Sequence, residues 1–60
     1  MQLPQDPFIL LGFINTKLRD QYKSLDTLCE DLEINREKLE TDLASIEYSY
    51  AKDLNQFIAV

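Results

Sequence analysis

A chain of 60 residues, 45% hydrophobic and 28% charged, has room for one small domain and the composition of a folded one. Its net charge of −5 and pI near 4.3 repel phosphate backbones and anionic lipid on average, which weighs against direct binding to nucleic acid or membrane surfaces. With no histidine, no glycine-rich phosphate loop and no Cys/His metal set, the sequence offers neither the commonest general base near neutral pH nor a recognisable cofactor or metal site.

Met1 to Gln5 reads as a loose arm of a single domain spanning residues 1–60. Asp6-Pro7 is a helix start, with Asp as N-cap and Pro at the first helical position. The first helix is expected from Pro7 to about Tyr22, with Lys17, Arg19 and Lys23 near its negative pole. Phe8, Leu11, Ile14, Leu18 and Tyr22 form one stripe on it, expected to face the core. Ile9 and Phe13 point away from that stripe, with Leu10 on its flank. The plain reading is that the C-terminal segment covers these three or that they are tolerated singly on the surface. The sharper reading is a face for self-association or for a partner, in which case Phe13→Asp is expected to abolish the dimer while leaving the fold intact. The longest apolar run, Phe8 to Ile14, is far short of the ~20 residues a membrane span needs. Pro4 and Asp6 interrupt the start, which has no basic region, so no secretory signal is expected.

Ser24 to Ile46 organises the rest of the chain. Ser24 is an N-cap, and Leu25, Leu28, Cys29 and Leu32 fall at helical spacing behind it. Glu33 and Ile34 break the period, Asn35 caps a new helix, and Leu39, Leu43 and Ile46 share a face. The unit is a helix-turn-helix. Asp26, Glu30 and Asp31 lie on the outer side of its first helix. They are read as a solvated acidic face, or as a docking surface for a basic partner. Cys29 is expected to be a buried, inert thiol in a reducing, cytoplasmic compartment.

After Ile46 the pattern alternates: Ile46, Tyr48 and Tyr50 against Glu47 and Ser49. A polar segment, Ala51 to Asn55, precedes Gln56-Phe57-Ile58-Ala59-Val60. This predicts a β-hairpin, with a helical turn at Ala51–Leu54 and one short terminal strand as the alternative. The expected architecture is mostly α, of the α+β type: a three-helix, helix-turn-helix-like bundle closed by a C-terminal hairpin, like a winged helix. Its expected core comprises Leu11, Ile14, Leu18, Tyr22, Leu25 and Leu28, together with Cys29, Leu32, Leu39, Leu43, Ile46 and Phe57.

Four segments carry a family likeness: Leu3-Pro4-Gln5-Asp6-Pro7; Asn15-Thr16-Lys17-Leu18-Arg19-Asp20; Ser24-Leu25-Asp26 with Leu28-Cys29; and Asn55-Gln56-Phe57. On these the chain resembles a family of short bacterial proteins that share the domain of unknown function 4250. The Asn-Gln-Phe ending is its most distinctive mark. The resemblance implies a bacterial origin and a small conventional fold, and it supplies no catalytic residue. Members often carry Gly where this chain has Glu47, which questions a left-handed helix stop at that position.

A winged helix suggests DNA binding through its third helix. Here the outward residues of that helix (Arg36, Glu37, Lys38, Glu40, Thr41, Asp42 and Ser45) sum to a negative charge, opposed to phosphate contact. Tyr48, Tyr50 and Phe57 read as hairpin core rather than as base-stacking platforms. The function expected is a non-enzymatic, cytoplasmic protein-interaction module without cofactor or metal. It would form a homodimer or engage another protein through Ile9, Leu10 and Phe13, with Asp26, Glu30 and Asp31 orienting the partner. The runner-up is a nucleic-acid-associated regulator that gains its cationic surface by dimerising or from a basic partner.

Overall fold

The computed structural model describes residues 3–60. Each helix starts on the cap that the sequence announces. Asp6 accepts hydrogen bonds from the Phe8 and Ile9 amides at 2.8 and 3.3 Å, and α1 runs from Pro7 to Asp20. It ends short of Tyr22 because the Gln21 and Tyr22 amides both return to the Lys17 carbonyl, at 2.8 and 3.0 Å, and close the last turn. Ser24 Oγ accepts from the Thr27 amide at 3.1 Å and opens α2, Leu25–Leu32. Asn35 Oδ1 accepts from the Lys38 amide at 3.0 Å and opens α3, Arg36–Ala44.

Two glutamates turn the chain. Glu33 ends α2 in the left-handed region, φ 56° and ψ 46°, and the following Ile34 amide returns to the Cys29 carbonyl at 2.8 Å. Glu47 takes φ 64° between α3 and the first strand. The left-handed stop questioned from the sequence is therefore present, made by a residue that bears a conformational cost of about 1 kcal/mol there.

Strands β1, Tyr48–Ala51, and β2, Gln56–Ala59, pair antiparallel, with Tyr50 opposite Phe57 and Ser49 opposite Ile58. The chain thus closes with a complete hairpin rather than a helical turn and a lone strand. Residues 52–55 form its turn, with Asn55 in the left-handed conformation that Asn tolerates, at φ 52°. Three helices followed by a hairpin is the element order of a winged helix-turn-helix. Among the described residues, no helix is long and apolar enough to cross a membrane.

The core joins all three helices to β2. It consists of Leu10, Ile14 and Leu18 from α1, Leu25, Leu28 and Cys29 from α2, Leu39 and Leu43 from α3, and Phe57. The buried stripe of α1 is rotated from the expected one. It follows the i, i+4, i+8 row Leu10–Ile14–Leu18, because α2 and α3 cover the helix from one side and β2 from another. Leu11 moves to the half-buried flank and Phe8 out of the core altogether, at 65% exposure. Tyr22, Leu32 and Ile46, also expected in the core, are half-buried at its rim, each at or just beyond a helix end. Met1 and Gln2, the start of the expected loose arm, lie outside the described residues. From Leu3 onward the arm is anchored, since Leu3 packs against the core.

Candidate functional site

The Asn-Gln-Phe segment fastens the hairpin to α1. Asn15, in the middle of α1, presents its side-chain amide to β2 as a neighbouring strand would: Oδ1 accepts from the Phe57 amide at 2.8 Å and Nδ2 donates to the Phe57 carbonyl at 3.1 Å. Gln56 Nε2 donates to the Asn15 carbonyl at 3.1 Å and to the Asn55 carbonyl at 3.0 Å. Asn55 Nδ2 donates to the Leu18 and Tyr22 carbonyls, at 3.1 and 2.9 Å, filling acceptors left open at the end of α1. Its Oδ1 accepts from the Tyr50 hydroxyl at 2.6 Å, and that hydroxyl accepts from the Leu25 amide, a free donor at the start of α2, at 3.2 Å. Two helix ends and the hairpin are thereby joined by one relay, with no buried side-chain polar atom among the described residues left unpartnered. Tyr50 and Phe57 pack across the strands with ring centroids 5.6 Å apart and planes tilted by 54°, Phe57 in the core and Tyr50 against it.

On α3, both cations are already engaged. Arg36 pairs with Asp26 of α2 and with Glu40 at 3.5 Å, and its guanidinium lies over the Tyr50 ring, 5.8 Å from the centroid. Lys38 pairs with Asp42 at 3.0 Å. At the end of α1, Arg19 grips Asp20 through two hydrogen bonds of 2.9 and 3.0 Å, which raises the guanidinium pKa and lowers that of the carboxyl. Lys17 lies 5.5 Å from the centroid of the Phe13 ring.

The three acids proposed to orient a partner differ in their engagement. Asp26 is tied to Arg36, and Asp31 accepts a short hydrogen bond from Tyr22 that raises the phenol pKa. Glu30 remains exposed between them. Among the described residues, no three His, Cys, Asp or Glu side chains are placed to hold a metal ion. Cys29 is buried, and loss of solvation pushes its thiol pKa up against the opposing pull of Arg36.

The fold places the three residues read as an apolar partner face differently. Leu10 leaves it, being 3% exposed and central to the core. Phe13 is half-buried, packed against the core. Ile9 remains, 61% exposed, and Phe8 joins it. Gly12 faces open space, with no atom within 4 Å of where a Cβ would stand. The sequence signal for this face is that Pro7 to Thr16 carries no charged residue at all.

A groove that the sequence reading missed lies beside this helix start. Leu3, Pro4, Pro7, Leu10, Ile34 and Leu39 are its apolar lining, and Glu33, Lys38 and Asp42 supply the charges around a cavity of about 580 Å³. Its parts are scattered over the arm, α1, the α2–α3 turn and α3, so no local motif announces it.

No curated protein matches the chain, and no solved structure does. The family model described as Domain of unknown function (DUF4250) matches residues 4–57, from the arm through the last residue of the Asn-Gln-Phe relay, and the chain belongs to that family.

Proposed function

We propose that the protein is a non-enzymatic, cytoplasmic interaction module that self-associates through the outer face of the first half of α1. The observation that carries this reading is the pair of large apolar side chains at the start of α1: Phe8 and Ile9 are 65% and 61% exposed in a segment without charge. Two copies meeting there bring together neutral surfaces, and Gly12 lets the helices approach closely. The engaged cations of α3 favour this reading over a nucleic-acid regulator, since phosphate contact would first have to break pairs with Asp26, Glu40 and Asp42.

Burying the exposed parts of these side chains contributes roughly 1–2 kcal/mol each, or roughly 4–8 kcal/mol for the four in a symmetric pair. Association itself costs roughly 4–15 kcal/mol. The pair is therefore weak and concentration-dependent. Sedimentation equilibrium tests it: the mass should climb from 7.0 kDa toward twice that value with concentration, and Ile9→Asp should hold it at 7.0 kDa with an unchanged circular dichroism spectrum. A wild-type mass constant at 7.0 kDa would remove the reading.

A further inference from the structure

The net charge is not spread over the molecule. From Asp26 to Asp42, the helix-turn-helix unit carries seven carboxylates and two cations, which is the whole net charge of −5. Outside it, four acidic residues (Asp6, Asp20, Glu47 and Asp53) balance four basic ones (Lys17, Arg19, Lys23 and Lys52). Both cations of the unit are held by its own carboxylates, Arg36 by Asp26 and Glu40 and Lys38 by Asp42. Four of the five surplus charges therefore rest on Glu30, Asp31, Glu33 and Glu37, at the turn between α2 and α3 and on either side of it, all exposed, and the fifth on the two carboxylates that share Arg36.

That turn forms one end of the groove. Glu33, fixed at φ 56°, and Ile34 both line the cavity, alongside Leu10 and Leu39. The site thus offers the half-buried Leu3, Pro4 and Ile34 over a floor of Leu10 and Leu39, a turn carrying the exposed Glu33 beside the Lys38–Asp42 pair, and a volume of about 580 Å³, within the ~300–1,000 Å³ usual for ligand clefts.

We propose that this groove receives a basic amphipathic segment of another protein. One apolar side chain of that segment seats against Leu10, Ile34 and Leu39, and a neighbouring Lys or Arg pairs with Glu33. Charge selects this occupant. A phosphate-bearing ligand or an anionic lipid surface would meet Glu33 in the groove and the net −5 of the helix-turn-helix unit around it. A cation in this position pairs with Glu33 within the field of the acidic unit while its apolar neighbour supplies the anchor, the usual division of labour in helix-in-groove recognition.

This inference rests on the reading of the protein as an interaction module, but it uses a different surface from the self-association face. The probes are two synthetic helical peptides with one leucine pattern, carrying lysine at every polar position in one and glutamate in the other. Amide shifts of the labelled protein are followed during titration. The lysine peptide should bind at least about tenfold more tightly than the glutamate peptide, with the largest shifts at Leu10, Glu33, Ile34 and Leu39. Its affinity should fall about fivefold with Glu33→Lys, a change that leaves the left-handed turn no more strained than before. Ser45→Phe, on the groove wall and away from the core, should block the site and abolish those shifts.

Equal binding of the two peptides, no binding of either, or indifference to both substitutions would overturn the proposal. Shifts centred on Phe8 and Ile9 would overturn it too, while leaving the module reading in place. A monomeric protein that binds the lysine peptide in the groove would remove self-association and support the groove.

Discussion

The Tyr50 hydroxyl donates to Asn55 Oδ1 at 2.6 Å, and through this one bond the free amide at the start of α2 is connected to the open carbonyls at the end of α1. The relay makes opposite demands of the two ends of Asn55: an acceptor toward Tyr50 and a donor toward Leu18 and Tyr22. Only an amide meets both. Asn55→Asp, which keeps the size and loses the donor, should therefore destabilise by about 2–3 kcal/mol in urea unfolding, because it leaves carbonyls unsatisfied and sets a carboxylate beside them. Asn55→Gly keeps the left-handed turn and isolates the loss of the amide from any backbone effect. A cost below about 0.5 kcal/mol for Asn55→Gly would show the relay to be dispensable.

Asn15 is the counterpart of this relay at the centre of α1. Its amide replaces a strand neighbour for Phe57, whose amide and carbonyl both depend on it. Asn15→Ala should cost about 2–3 kcal/mol, and hydrogen exchange of the Phe57 amide should accelerate more than that of amides in α3. Uniform acceleration across the molecule would mean that Asn15 supports global stability without specifically holding β2.

Much of this fold is legible in the sequence, for reasons that are local. Asp6, Ser24 and Asn35 each cap a helix through an amide two or three residues away, and the alternation of Ile46, Tyr48 and Tyr50 marks the side of the hairpin that faces the core. What the sequence does not reveal is decided at long range. Phe8 and Leu10 are both apolar and two residues apart, so periodicity in the uncharged first part of α1, Pro7 to Thr16, leaves its rotation undetermined. The packing of α2, α3 and β2 around α1 makes Leu10 core and Phe8 surface. The groove is hidden for the same reason, since Leu3, Leu10 and Ile34 meet only after the arm folds back over the helix-turn-helix unit.

That assignment has a direct consequence for stability. Leu10→Ala should cost about 2–4 kcal/mol, as expected of a fully buried leucine, whereas Ile9→Ala should stay within about 0.5 kcal/mol of the wild type. Urea midpoints of the two variants decide the matter, and a larger cost for Ile9→Ala would reverse the assigned rotation of α1.

Glu47 and Glu33 occupy left-handed backbone at φ 64° and 56°. Glu47→Gly removes the steric cost of a side chain there and should raise stability by about 0.5–1 kcal/mol, net of the greater freedom of glycine in the unfolded chain. A lower melting temperature for Glu47→Gly would mean that the glutamate side chain makes a compensating interaction in solution.

Alkaline pH should weaken the fold through two groups. The hydrogen bond from Tyr22 to Asp31 raises the phenol pKa, and burial raises that of the Cys29 thiol. Each group ionises more readily in the unfolded chain. Their contributions are complete below the unfolded values, near 8.5 for Cys and 10 for Tyr, and are lost as pH rises through the folded ones. The urea midpoint should therefore fall from about pH 8 upward, and Cys29→Val should flatten the first part of that decline. An unchanged pH profile in Cys29→Val would show that the thiol is not the group responsible.

The central claim is that copies of this protein meet on the outer face of α1, at Phe8 and Ile9. Isotope-filtered NOE spectroscopy on a concentrated one-to-one mixture of labelled and unlabelled protein tests it most directly. Contacts between the Ile9 methyl groups of one copy and the Phe8 ring of another are the predicted result. Intermolecular contacts confined to other surfaces, or their absence at concentrations where sedimentation shows association, would contradict it.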